Sequence, residues 1–259
     1  MSDDLHDIAA ALTHRLTTLP ELPMRAAVAG DALTTMPPEH TVWWLDRLVR
    51  QALWGSQESV DAVMAIALWL ISTSAADNYS TLQRLFETAY HEGREAVLFL
   101  LRTPPPKRAL GAGARLPEVR LPISREVTLG ERRSFARSSR RDLLERLIMD
   151  PSELVIAMLL NNPHLRLSDV LTIASRRPTR PELLLEVARH ARWVRELEVR
   201  EALVMNPFIS TGVALKYVPT LNIRMLRRIQ DMGDLHHGVS RFAAMLVYLR
   251  EERTAPLRI

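Results

Sequence analysis

The chain of 259 residues contains no cysteine, which excludes disulfide cross-links and thiolate metal sites and leaves the redox compartment open, with a lean toward the cytosol. Long apolar runs are missing as well. The longest, Ala62 to Ile71, covers ten residues, about half of what a membrane-spanning helix needs, and reads instead as a buried helix. The first residues, Met1-Ser2-Asp3-Asp4-Leu5-His6-Asp7, are acidic where a secretory signal would be basic, and no apolar segment follows them. Membrane insertion and export are therefore not expected, and a cytoplasmic location is. There is no Gly-rich phosphate loop and no nucleophile elbow. His6, His14, His40, His91, His164, His190, His236 and His237 show no metal-ligand spacing with a carboxylate. No catalytic residue, cofactor or metal is expected, and the chain reads as a non-enzyme.

Lysine is scarce too: only Lys107 and Lys216 occur, so 32 of the 34 basic side chains are arginine, and the pI is about 9.9 although the formal charge is only +4. Arginine's planar fork suits carboxylates and phosphates, but a GC-rich genome produces the same bias. With 47% apolar and 25% charged residues the chain has the composition of a soluble globular protein of one large or two smaller domains.

Helical spacing dominates from the start. Leu5, Ile8, Ala9, Leu12 and Leu16 mark a first helix over residues 2 to 16, capped by Ser2 or Asp3 and ended by Pro20 and Pro23. A short helix is predicted over Met24 to Leu33, closed by Gly30 or by Pro37-Pro38. In the next, Glu39 to Trp54, the core stripe is Val42, Leu45, Leu48, Val49, Ala52 and Leu53. Trp43, Arg47, Arg50 and Trp54 fall on its far side, with Trp43–Arg47 and Arg50–Trp54 spaced i, i+4 for cation–π contact. That face is either a partner-binding or homo-oligomer patch or a second core face. Gln57 to Ser72 is apolar all round, which predicts the central helix of this half. Helices over Thr81 to Tyr90 and Arg94 to Arg102 complete an N-terminal helical region, residues 1–103.

Residues 104–127 form a linker or ordered arm, rich in Pro104, Pro105, Pro106, Gly111, Gly113, Pro117 and Pro122. Between Arg102 and Arg141 there are eleven Lys or Arg against Glu118, Glu126 and Glu131, an excess of eight positive charges. Helices resume from Thr128. Asp150-Pro151-Ser152-Glu153 reads as an N-cap, a first-turn proline and an acidic third position; Ser168 can cap the next helix, and Thr179-Arg180-Pro181-Glu182 reads as a capping box for a third.

The C-terminal half is duplicated. Leu159-Leu160-Asn161-Asn162-Pro163-His164-Leu165 matches Leu203-Val204-Met205-Asn206-Pro207-Phe208-Ile209 at an offset of 44 residues, which also pairs Leu171 with Leu215, Ile173 with Tyr217 and Ala174 with Val218. In the second copy Glu196 to Met205, Ser210 to Pro219 and Asn222 to Met232 repeat the order of helices, and Val239 to Glu251 ends the array as a terminal cap. A period of about 40 to 47 residues built of short helices is the mark of an α-solenoid. Residues 138–251 thereby resemble the armadillo and HEAT class of helical repeats, including the bacterial leucine-rich-repeat-variant type. The expected fold is all-α: a helical-repeat domain of three-helix repeats over residues 128–259, preceded by the N-terminal bundle.

The resemblance implies a scaffold that binds along one face of the stack and brings no catalytic residues. Arg176, Arg177, Arg180, Arg189, Arg192 and Arg195 are candidates for an acidic protein partner. Glu182, Glu186, Glu196, Glu198 and Glu201 are interleaved with them and would neutralise a plain solvated face. The alternative is nucleic-acid binding through Arg125, Arg132, Arg133, Arg137, Arg140 and Arg141. Phe135 is the one aromatic in that patch, a poor supply for base stacking.

Overall fold

A computed structural model describes residues 2–72, 78–111, 116 and 119–254. The side chains of Ser2 and Asp3, expected to cap the first helix, and Gly113, Pro117 and Glu118 of the arm lie outside that description. Among the described residues the secondary structure is entirely helical, as expected, with fifteen α-helices and no strand. They run α1 (Ser2–Thr18), α2 (Leu22–Thr35), α3 (Pro38–Leu53), α4 (Gln57–Ser72), α5 (Tyr79–His91) and α6 (Glu95–Leu101). Then come α7 (Leu129–Phe135), α8 (Arg141–Leu147), α9 (Glu153–Leu160), α10 (Leu167–Ser175), α11 (Pro181–Arg189) and α12 (Leu197–Val204). The last three are α13 (Thr211–Tyr217), α14 (Ile223–Gln230) and α15 (His237–Thr254). The chain forms two compact units, residues 1–105 with 211–259, and residues 106–210.

This division differs from the one expected at 103, 127 and 128. Residues 211–259 pack with 1–105 because α13 is buried along its whole length against α4, α6 and α15, and Phe242 of α15 stacks on Phe99 of α6 at 4.7 Å between centroids. Helix α4 is central to this first unit and touches α1, α2, α3 and α13, as the apolar run from Ala62 to Ile71 requires. Gly30 does not close α2 but lies buried inside it, where an added Cβ would come within 2.0 Å of the Trp69 indole nitrogen on α4. The glycine is a notch for that ring. Buried Arg25 ties three elements together by donating to Asp61 of α4 at 2.7 Å and to the Leu19 and Thr17 carbonyls. Helices α3 and α5 end on Gly55 and Gly93 in the left-handed region, φ 92° and 66°. There the Ser56 and Arg94 N–H groups close back on the Gln51 and Ala89 carbonyls.

The second unit is built of helices of seven to nine residues. The duplicated asparagines hold it. Asn162, which follows α9, is buried and donates through Nδ2 to the Ala136 and Ser138 carbonyls at 2.7 and 2.8 Å, while its Oδ1 accepts the His164 N–H. Asn206, which follows α12, does the same with the Ala174 and Arg176 carbonyls and the Phe208 N–H. Each side chain thus satisfies the open carbonyl end of an earlier helix, α7 or α10, and shapes its own turn. The aligned asparagines are equivalent in hydrogen bonding as well as in sequence.

Three capping assignments change. Ser152, not Asp150, is the N-cap of α9; Asp150 is buried two residues earlier, accepts the Ser152 N–H and pairs with Arg132. Ser168 sits inside the first turn of α10, where Asp169 instead accepts the Arg166 N–H at 2.9 Å. Thr179 makes no capping box: α11 starts with Pro181, and the buried Thr179 hydroxyl has no partner. Asn222 does cap α14 as its sequence suggests, accepting the Met225 N–H at 2.9 Å. The arm is ordered where described: the Arg108 N–H donates to the Pro207 carbonyl, Arg146 donates to the Arg120 carbonyl, and Leu116 is buried.

Candidate interaction surfaces

The α3 face of the first unit carries one of the expected pairs. Val42, Leu45, Leu48, Val49, Ala52 and Leu53 are all buried, so the stripe fixes how α3 is rotated. Trp43 and Arg47 are left half-buried, and the Arg47 guanidinium lies 5.4 Å from the Trp43 ring centroid. His6 of α1 meets the same ring edge-on at 4.7 Å. Arg50 is not available in the same way. Its Nε donates to buried Asp46 at 2.8 Å, and Arg94 shares that carboxylate at 3.2 Å. Trp54, at the C-cap of α3, is also half-buried. Arg47 has no ion-pair partner among the described residues.

Beside Arg47 a pocket of about 130 Å³ opens between α1, α3 and the start of α4, lined by Ala9, Ala10, Thr13, Trp44, Arg47, Leu48, Gln51, Ser56, Glu58 and Ser59. Two small residues of α1 leave the space. Its walls are held by hydrogen bonds: the Trp44 indole donates to the Thr13 hydroxyl, which donates to the Ala9 carbonyl, and Ser59 Oγ lies 3.1 Å from Gln51 Oε1 and 3.0 Å from Ser56 Oγ. The residue pattern marked Trp43 and Arg47 but not the pocket, whose polar members come from three helices.

In the second unit the candidate arginines separate by what they touch. Arg176 donates to the Met149 carbonyl at 2.7 Å, and Arg177 donates to that of Met205, so both close helix ends. Burial holds the Arg176 pKa below its ordinary value despite the nearby Asp150 carboxylate. Arg180 is half-buried, while Arg189, Arg192 and Arg195 are exposed. The Arg192 guanidinium lies 4.1 Å from the ring centroid of Trp193, a buried residue whose indole N–H donates to the Leu160 carbonyl at 2.8 Å. Neither Arg180 nor Arg192 forms an ion pair with the interleaved Glu182, Glu186, Glu196 or Glu198. His190, packed near the Trp193 ring, is held below the ordinary imidazole pKa by burial and then by Arg192.

The arginines proposed for nucleic acid are for the most part spoken for. Arg125 pairs with Glu131, Arg140 with Asp142, and Arg132 reaches both oxygens of buried Asp150 at 3.0 and 3.2 Å. Arg141 grips both oxygens of buried Asp169 and also Glu145. These contacts hold the Asp169 pKa down, through the Arg141 hydrogen bonds first. Asp150 is pushed up by its burial, which outweighs Arg132. Arg137 donates to the Met158 sulfur, and half-buried Arg133 has an unpartnered Nε.

No family model matches this chain, and no curated protein or solved structure is found to be similar to it. The described residues also hold no cluster of three His, Asp or Glu placed to bind a metal ion, and no helix long and apolar enough to cross a membrane.

Proposed function

We propose that the chain is a non-enzymatic interaction scaffold of the helical-repeat kind, which recognises an acidic segment of another protein. The observation that carries this reading is a repeated device: Arg192 over Trp193 and Arg47 over Trp43, each a guanidinium steadied on an indole and without an ion-pair partner among the described residues. Such a side chain is already ordered, so binding an external carboxylate loses less rotamer freedom, and Trp and Arg are the residue types that dominate interface energetics. The duplicated asparagine clamps support the repeat reading, since tandem repeats reuse one set of contacts at each junction. Nucleic-acid binding through Arg125 to Arg141 has less in its favour, because four of those six arginines face carboxylates within the protein and release few counterions on meeting phosphate.

The test is a titration of the full chain with a short polyglutamate peptide and, separately, with a random-sequence DNA duplex, at two salt concentrations. The expected result is peptide binding that weakens with salt and drops about tenfold in Arg189→Gln/Arg192→Gln or in Arg47→Gln. DNA binding that survives those changes but is lost in Arg132→Gln/Arg133→Gln/Arg137→Gln would overturn the reading in favour of nucleic acid.

A further inference from the structure

We infer that the pocket between α1, α3 and α4 binds a small zwitterion of the size of a free α-amino acid, with its carboxylate on Arg47 and its ammonium on Glu58. Size sets the class first. At about 130 Å³ the space is well below the roughly 300 Å³ at which cofactor and drug-sized sites begin, and close to the roughly 150 Å³ that accommodates a benzene-sized molecule. It has room for about six heavy atoms.

Charge narrows the class. Arg47 and Glu58 line the same pocket, and neither has an ion-pair partner among the described residues, nor do they pair with each other. They are kept apart by a neutral bridge. Gln51 lies one helical turn from Arg47 and is joined through Ser59 Oγ to the α4 terminus that carries Glu58. The two charges therefore face one small pocket without forming a salt bridge across it, which suits one small molecule carrying both opposite charges. The Gln51 amide and the Ser56, Ser59 and Thr13 hydroxyls line the same pocket, so the carboxylate oxygens and ammonium N–H groups left over also meet hydrogen-bonding partners. A simple anion would leave Glu58 facing it, and a simple cation would face Arg47; a zwitterion satisfies both.

The test follows backbone amide resonances of Thr13, Gln51, Ser56 and Ser59 in the full chain while free alanine, acetate or methylammonium is added at millimolar concentration. Alanine is expected to give saturable shifts, and acetate and methylammonium to bind at least about tenfold more weakly. Arg47→Gln and Glu58→Gln, both accessible enough to leave the helices intact by circular dichroism, are each expected to weaken alanine about tenfold, and Ala10→Phe, which fills the pocket, to abolish its binding. The inference is overturned if alanine gives no saturable shift, if either charge substitution leaves its affinity unchanged, or if acetate binds as tightly. Polyglutamate binding is read in Glu58→Gln and Ala10→Phe, which keep Arg47, so loss of the zwitterion site leaves the scaffold reading standing or falling on its own result.

Discussion

The two compact units differ in helix length, and with it in what holds them. In residues 106–210 every α-helix has seven to nine residues, whereas the other unit sets α1 to α5 and α15, of 13 to 18, beside α6, α13 and α14, of seven or eight. A helix leaves up to four carbonyls and four N–H groups open at its ends whatever its length, so in a short helix most polar groups are end groups. The long-helix unit buries an apolar rod, α4, against four neighbours. The short-helix unit has to satisfy ends, and does so with buried Asn162 and Asn206 and with arginines that reach carbonyls and carboxylates up to 28 positions away. Charge follows the same split. Residues 106–210 hold 19 basic and 13 acidic side chains, and the remainder 15 and 17, giving net charges of +6 and −2. Much of the arginine in the basic unit is internal cement, so the number of its arginines overstates what it offers to a partner, and the net +6 is what is left once the carboxylates are counted.

The largest expected effect breaks a clamp. Asn206→Ala removes three hydrogen bonds and strands buried carbonyls, a loss of about 4 kcal/mol, and should speed amide exchange in α10 and α12 well before it does so in α4. Equal acceleration in α4 would show that the two units unfold as one.

Next in size is Lys216. It is almost fully buried in α13, forms no ion pair among the described residues, and its ammonium contacts the Gly212 and Arg102 carbonyls at 3.0 and 3.5 Å. Burial lowers its pKa from 10.5 to about 8. Between those values the unfolded chain holds a proton that the folded one has released, so this group makes stability rise with pH from about 8 to 10.5 and imposes its full cost below 8. Lys216→Met should therefore stabilise the protein by on the order of 3 kcal/mol at neutral pH and remove that rise from the urea midpoint.

A smaller change is expected at the α2–α4 contact. Gly30→Ala gains helix propensity but drives a Cβ into the Trp69 indole, for a net loss of about 1 to 2 kcal/mol and a shift in Trp69 fluorescence. Smallest is Arg192→Gln, which should alter stability by no more than about 0.5 kcal/mol while weakening polyglutamate. A large fall in melting temperature would mean that the Arg192–Trp193 stack is structural and not a binding surface.

Most of the helices were legible in the sequence, because periodicity and turn residues act within a few positions. The Gln57 to Ser72 helix has the same limits in the structure. The Trp43–Arg47 pair was legible for the same reason, being one turn apart. Asn162 and Asn206 were visible as repeated helix stops, but not as clamps, because the carbonyls they hold lie 24 to 32 residues upstream. Asp150 read as a cap because a cap is local, while its ion pair with Arg132 spans 18 positions. Of the two stops the sequence offered α2, Pro37-Pro38 follows its end and Gly30 does not, because the reason for Gly30, Trp69, sits on another helix.

By itself, then, the sequence determined an all-helical chain, the α3 core stripe and the position of the duplicated Asn-Pro turns, all properties of neighbours along the backbone. Only the tertiary structure decided which arginines keep a free charge, that α13 to α15 pack with the N-terminal helices, and that Arg47 and Glu58 share a pocket. Those outcomes depend on burial and on distances between segments far apart in the chain, and the arginine pattern is the same whether a guanidinium meets solvent or a buried carboxylate.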